Sequence, residues 1–369
     1  MQSRWACMTV VALAGLGVAC WAFAAPAAAP SAAAASSAGA VSKSAAPPAA
    51  KAEAVKPPAD SGDGIMGEYA GTFTRPAGIP LRADAKVVAE GGGSYKVILI
   101  WREEGKTNRM WWSARTEGNK VLMDGKSETM EMSGSIADKK LSVEIKGSAA
   151  GKFSLNLTVR HSPTEGDAPP PGAVILLPYT EGKATSTDEW TNATWKALTD
   201  GSMIVGKDNN SSKISFGDCR IHVEFFVPFE PDKRGQDRGN SGVFLASRYE
   251  IQILDSFGLE TKNTECGAIY GVAAPRTNAG YPPGQWQTFD IVFRAPRVDG
   301  EKVVRPAVIT VRHNGVKIHD IVKMSMTTTA GVAGPPAETA PLMLQDHGHA
   351  VRFRNIWVLP LAEDQPGGL

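Results

Sequence analysis

Residues 238–257 read RGNSGVFLASRYEIQILDSF. Two apolar runs flank a short polar turn, the pattern of a β-hairpin. In the second run Tyr249, Ile251 and Ile253 point one way, and Arg248, Glu250 and Gln252 the other. The apolar face needs a core. The polar face meets bulk water or lines a polar cleft, and an antiparallel sheet allows either.

The same alternation recurs on both sides of the hairpin. In CRIHVEFFV (219–227), Ile221, Val223 and Phe225 share one face, and Arg220, His222, Glu224 and Phe226 the other. QWQTFDIVF (285–293) alternates as well. Residues 307–313 and 316–321 flank Asn314-Gly315, a strong hairpin signal. The last strands are 342–347 and 351–359. Gln345 shares a face with His347, and Arg352 with Arg354. Strands this frequent, with no amphipathic helix between them, predict a two-sheet sandwich over 173–361.

Upstream, residues 64–165 hold eight shorter alternating runs separated by turns such as Glu90-Gly91-Gly92-Gly93 and Asp124-Gly125. They predict a small antiparallel β-barrel or meander. Trp101, Trp111 and Trp112 could form a sugar-stacking platform there, or pack as core. The fold class is therefore all-β, a C-terminal sandwich preceded by a small barrel or meander domain. Residues 166–172, GDAPPPG, read as a Pro-rich hinge, and 362–369 as a tail.

The N-terminus has the form of a secretory signal over 1–24. Arg4 supplies the basic region, 8–19 the apolar region, and Ala22-Phe23-Ala24 the cleavage pattern. Lipidation at Cys20 ranks second, because Gly17 stands where a larger aliphatic residue is usual. Residues 25–63, rich in Ala and Pro, cannot bury enough apolar surface to fold and read as a disordered tether. The expectation is a periplasmic or secreted protein without a membrane span after cleavage. An exported chain can carry disulfides, and Cys219–Cys266 is the one pairing open beyond the leader. Lys+Arg 39 against Asp+Glu 38 gives no electrostatic reason to expect nucleic acid.

No phosphate-binding loop, Gly-x-Ser-x-Gly elbow or closely spaced metal motif occurs, so no nucleotide cofactor is expected. What remains is a set of Arg, Glu, Gln and His side chains on off-core strand faces, a composition suited to polyhydroxyl ligands.

The segments NSGVFLASRYEIQILDSFG, ECGAIYGVAAP, YPPGQWQTFDIVFRAPR, RHNGVKIHD and LQDHGHAVRFRNIWVLP occur in this order. Together they resemble the bacterial 3-keto-disaccharide hydrolase family over roughly residues 172–360. Its members are described as 3-keto-glucoside 1,2-lyases and 3-keto-2-hydroxy-glucal hydratases. The resemblance implies a concanavalin A-like jelly roll. It also implies cleavage of 3-keto-glucosides by elimination across C1–C2, followed by hydration. A ketone at C3 acidifies the C2 hydrogen, so the reaction needs a base at C2, a stabiliser for the enolate and an acid at the leaving oxygen.

On this resemblance His347 and Glu250 are the candidate catalytic residues, and the same two are candidate ligands if one divalent metal ion assists. Asn240, Arg248, Gln252, Arg276, Asn278, Gln345 and Arg354 are candidate substrate-binding residues. Where the family commonly has Gly-Asn-Pro after its Asp-His pair, this chain has Gly348-His349-Ala350, which puts the neighbouring loop in question. Two other readings stay open. One is a non-catalytic, lectin-like carbohydrate-binding protein on the same fold. The other is a glycosidase using two carboxylates.

Overall fold

Eight alternating runs between Gly67 and Thr158 leave no free edge when they close on themselves, and the computed structural model shows that closure. It describes residues 54–58, 62–363 and 365. The signal segment, Cys20 and most of the tether lie outside the described residues.

The barrel strands are β1 (Gly67–Thr74), β2 (Leu81–Ala89), β3 (Ser94–Glu103), β4 (Lys106–Glu117), β5 (Lys120–Lys126), β6 (Met130–Ala137), β7 (Lys140–Gly147) and β8 (Gly151–Thr158). They pair in chain order, and β8 returns to β1. Inward residues fill the interior. Phe73, Trp101 and Phe153 form its aromatic centre, with ring centroids 4.5, 5.1 and 5.6 Å apart. The three tryptophans therefore separate. Trp101 is core, Trp112 packs partly buried against it, and Trp111 stands outside, 60% exposed.

The sandwich begins with β9 (Val174–Leu177), β10 (Lys196–Ala197), β11 (Met203–Ile204), β12 (Asn210–Phe216) and β13 (Cys219–Phe226). The hairpin of β14 (Ser241–Leu245) and β15 (Tyr249–Ile253) follows. Next come β16 (Trp286–Arg294), β17 (Arg297–Asp299), β18 (Lys302–Arg305), β19 (Ala307–His313) and β20 (Val316–Met324). The series ends with β21 (Ala340–Leu344) and β22 (Arg352–Pro360). The larger sheet runs β10-β11-β22-β13-β16-β19-β20, with β9 also on β22; the smaller runs β12-β21-β14-β15.

The apolar faces meet between the sheets. Val243, Leu245, Ile251 and Ile253 from the smaller sheet join Val223, Phe225, Ile291 and Phe353 from the larger. The β14–β15 turn has positive φ at both Ala246 and Ser247, 50° and 53°. Asn314 and Gly315 turn β19 into β20 with positive φ at both positions.

The off-core face of the larger sheet is covered. Residues 162–167 lie as a strap across the larger sheet, where the Ser162 and Thr288 hydroxyls stand 2.6 Å apart. The Thr164 hydroxyl donates to Asp290 (2.7 Å), and the Gly166 N–H to Glu224 (2.6 Å). His222 and Glu224, which share a face as the alternation predicts, are fully buried beneath this strap. Val55, from the segment read as tether, bridges to Leu198.

Arg238 forms a buried ion pair with Asp255 (2.5 Å) and donates to Ala89 O of the barrel (3.1 Å). Phe257 packs on Val88 and Ile98, also from the barrel. Among the described residues no helix is long and apolar enough to cross a membrane.

The expected Cys219–Cys266 disulfide is not formed, and both thiols are free and buried. Cys219 opens β13 beside Phe293 and Pro360, whereas Cys266 lies in the segment after β15. Burial pushes both thiols up to about 12, so neither is a reactive thiolate.

Candidate functional site

The off-core face of the smaller sheet carries the candidate site. Alternation along β15 puts Glu250 and Gln252 on that face. Pairing of Phe244 with Glu250, and of Gly242 with Gln252, adds the matching residues of β14. Gln345, just past β21, donates its N–H to Gly242 O (3.0 Å) and so continues the same row. Asn240, two residues before Gly242, completes it.

Glu250 is 2% exposed, and among the described residues no cation forms an ion pair with it. Burial alone pushes its carboxyl up to about 7. The Gln252 amide, with its nitrogen turned to face acceptors, donates to Glu250 Oε1 (2.9 Å) and Ser241 O (3.1 Å). A Cβ at Gly242 would stand 2.7 Å from Glu250 Oε1, so the glycine makes the room in which this carboxyl lies. The Glu250 N–H is taken by Thr328 Oγ1 (3.0 Å), which fastens the strand to the following loop.

Among the described residues two buried acceptors on this face, Asn240 Oδ1 and Gln345 Oε1, lack a hydrogen-bond partner. A buried carbonyl oxygen without a donor is costly, and such groups recur at binding sites. The other end of the Asn240 amide donates to Gln236 O (2.8 Å), in the short turn Gly235–Asp237. Contacts run from that turn to the histidines. His349 stands 3.7 Å from Asp237 and 2.7 Å from Glu230, and its ring lies 6.1 Å from that of His347. His349 is buried, and His347 is exposed. Among the described residues His347 makes no hydrogen bond or ion pair with Glu250 or Gln252.

The remaining candidates go elsewhere. Arg248 donates to Gly334 O (2.9 Å) and Pro335 O, tying down the loop after β20. Asn278 holds Ser256 O (2.7 Å) and Leu259 O (3.0 Å), and Arg276 is exposed near Asp320. Arg354, a candidate substrate-binding residue, lies away from Glu250, because β22 belongs to the larger sheet and its off-core face is the opposite outer face of the sandwich. There Arg354 pairs with Glu224 (2.6 Å) and Glu165 (2.8 Å), between the rings of Trp286 and Tyr179. Alternation fixes which face a residue takes but not which sheet it joins. Gln236, Gly242, Glu230 and Thr328 escaped the sequence reading. Three of them lie outside strands, where no period marks them, and Gly242 matters only for space.

Among the described residues no three His, Cys, Asp or Glu side chains gather to hold an ion.

Residues 178–359 match the family of 3-keto-alpha-glucoside-1,2-lyase-like domains. Among solved structures the chain is similar to a protein of Parabacteroides distasonis ATCC 8503 assigned to the glycosyl hydrolases. The two are 30% identical over 52% of this chain and 85% of that one, with a TM-score of 0.47. A second protein of that organism, assigned in the same way, is 18% identical over 52% of this chain and 95% of that one, with a TM-score of 0.38. Comparison with curated proteins finds no match.

Proposed function

Since the chain belongs, through residues 178–359, to the 3-keto-alpha-glucoside-1,2-lyase-like family of carbohydrate-active proteins, we propose that it cleaves 3-keto-glucosides, with Glu250 moving the proton. The observation that carries this reading is the buried Glu250 carboxyl, held at about 7 without a charged partner and beside two unpartnered amide oxygens.

The C3 ketone makes the C2 hydrogen acidic. Glu250 as carboxylate takes that proton, the electron pair moves toward the ketone, and the C1–O bond breaks as the enone forms. Water then adds across the C1–C2 double bond to give the free 3-keto sugar. A group that titrates near the working pH serves both as acceptor in the first half and as donor in the second. Gln252 fixes Oε1 by its hydrogen bond. Asn240 Oδ1 and Gln345 Oε1 accept hydrogen bonds from sugar hydroxyls. His347, exposed beyond Gln345, is the candidate donor to the leaving oxygen. The substrate is a 3-keto-glucoside or a related glycoside, and the signal pattern in the leader fits a periplasmic or secreted enzyme.

The test is turnover of a 3-keto-glucoside by the wild type and by Glu250→Gln. General acid–base groups contribute roughly 10²–10⁴ in rate, so the variant should lose at least 10² in kcat with KM little changed. Wild-type kcat/KM should rise with pH through about 7 as Glu250 loses its proton. A Glu250→Gln enzyme as active as the wild type would remove Glu250 from the chemistry. Sugar binding with no turnover by the wild type would favour the lectin-like reading.

A further inference from the structure

A second site stands apart from Glu250, where the outer wall of the barrel meets the sandwich. Strands β3 and β4 face the loop after Phe257 across a groove of about 470 Å³. Trp111, Lys96 and Arg109 line its barrel side; Leu259, Glu260 and Lys262 line the other. Trp111 is 60% exposed, the most exposed aromatic side chain among the described residues with large exposed hydrophobics. It pairs with Ile98 across the barrel wall, and Ile98 is held in the small core under Phe257. The indole is thus mounted on a fixed wall beside an open groove. Lys96 Nζ lies 4.8 Å from its ring centroid.

The groove continues past the Arg109–Glu260 ion pair into a smaller space of about 250 Å³, which adds Lys86 and Arg276. Five cations thus meet two lining carboxylates, Glu260 and Glu265, with Asp320 a further 3.9 Å from Arg276. The excess of positive charge is local, because the whole chain is nearly neutral. Glu265 is already engaged by the Ser256 hydroxyl (2.7 Å).

A flat indole suits the C–H face of a pyranose, and cations along the groove suit carboxylates spaced along a chain. The structure leads us to infer that this junction groove binds an acidic saccharide, with Trp111 as the stacking platform and Lys262 and Arg276 among its carboxylate partners. The site is distinct from the Glu250 face and does not depend on the reaction proposed there. It gives the barrel a role, that of holding a uronate-bearing glycan beside the sandwich.

The probe is trigalacturonate, titrated into the full chain and followed by tryptophan fluorescence and calorimetry, with cellotriose as the neutral control. Saturable binding of trigalacturonate is expected, weakening as salt rises. Stacking losses predict that Trp111→Ala weakens it by roughly tenfold or more. Lys262→Glu should weaken it as well while leaving any turnover at Glu250 unchanged. Trp111 is exposed, so its replacement leaves the core intact. Absence of binding, or equal affinity in Trp111→Ala, would overturn the site. Equal affinity for cellotriose would overturn its anionic character.

Discussion

Glu250 carries a cost to the fold that can be measured apart from any activity. Its carboxyl titrates at about 7 in the folded chain against an ordinary 4.5. Between those values the folded state holds a proton that the unfolded state has lost, so stability falls as pH rises through this window, and the full cost applies above about 7. Glu250→Gln removes the charge, and should stabilise the protein by on the order of 3 kcal/mol at pH 8 and by almost nothing at pH 4. Urea unfolding at the two pH values checks this, and an equal shift at both would show that the gain is not electrostatic. Gly242 sets a second constraint on the same atom. In Gly242→Ala the new methyl meets Glu250 Oε1 at 2.7 Å, and the flexible carboxyl gives way before the backbone does. The fold should survive while turnover falls by up to roughly 10², the effect of a misplaced catalytic group. A Gly242→Ala enzyme with wild-type turnover would mean that the carboxyl position is not critical. Part of this site was legible in the chain, because alternation alone puts Glu250 and Gln252 on one face; the register that sets Gln345 beside Gly242 was not, since alternation does not say which strands pair. Gln236 was not legible, since it reaches Gln252 and Asn240 from a turn that no period marks.

The strap of residues 162–167 and strands β13, β16 and β22 form one polar unit. His222 stands between Asp290 (2.8 Å) and Glu224 (3.4 Å), and Glu224 also receives Arg354 (2.6 Å) and the Asn355 amide (2.8 Å). Burial would lower the imidazole, but the bonds and charges of Asp290 and Glu224 outweigh it and hold His222 at about 9. Burial would likewise raise Glu224, yet His222, Arg354 and Asn355 bring it down to about 2. The histidine therefore contributes stability fully below its ordinary 6.5 and loses it as pH rises through about 9. The carboxylate contributes above its ordinary 4.5 and loses it as pH falls through about 2. Breaking a buried pair of this kind costs about 3–5 kcal/mol, so Asp290→Asn should unfold well below the wild type at pH 6, with a smaller difference at pH 9.5. Thermal melts at both pH values read this directly, and a pH-independent loss would assign the effect to packing rather than charge. The shared face of His222 and Glu224 could be read from CRIHVEFFV. That a strap some sixty residues upstream covers it could not, because residues 162–167 have neither apolar content nor periodicity to mark them as packed.

At the scale of the whole molecule, turn spacing and alternation revealed two β units but gave no sign that they would join. Their junction rests on single side chains of unremarkable sequence context. Arg238 pairs with Asp255 and bonds the barrel at Ala89, while Phe257 fills the space beside Val88 and Ile98. Asp255 is buried, which raises its carboxyl, so loss of its one cation leaves a charge that the interior cannot solvate. Coupling of this kind makes the barrel and sandwich unfold together instead of one after the other. Residues 64–369 should then show one thermal transition, with tryptophan fluorescence and far-ultraviolet circular dichroism coinciding. In Arg238→Ala the same two signals should separate into two transitions, the sandwich melting first because it keeps the unpaired Asp255. Two resolved transitions in the wild type, or a single unshifted one in Arg238→Ala, would mean that the units are stable independently and that the contacts at Ala89 and Phe257 place them without coupling them.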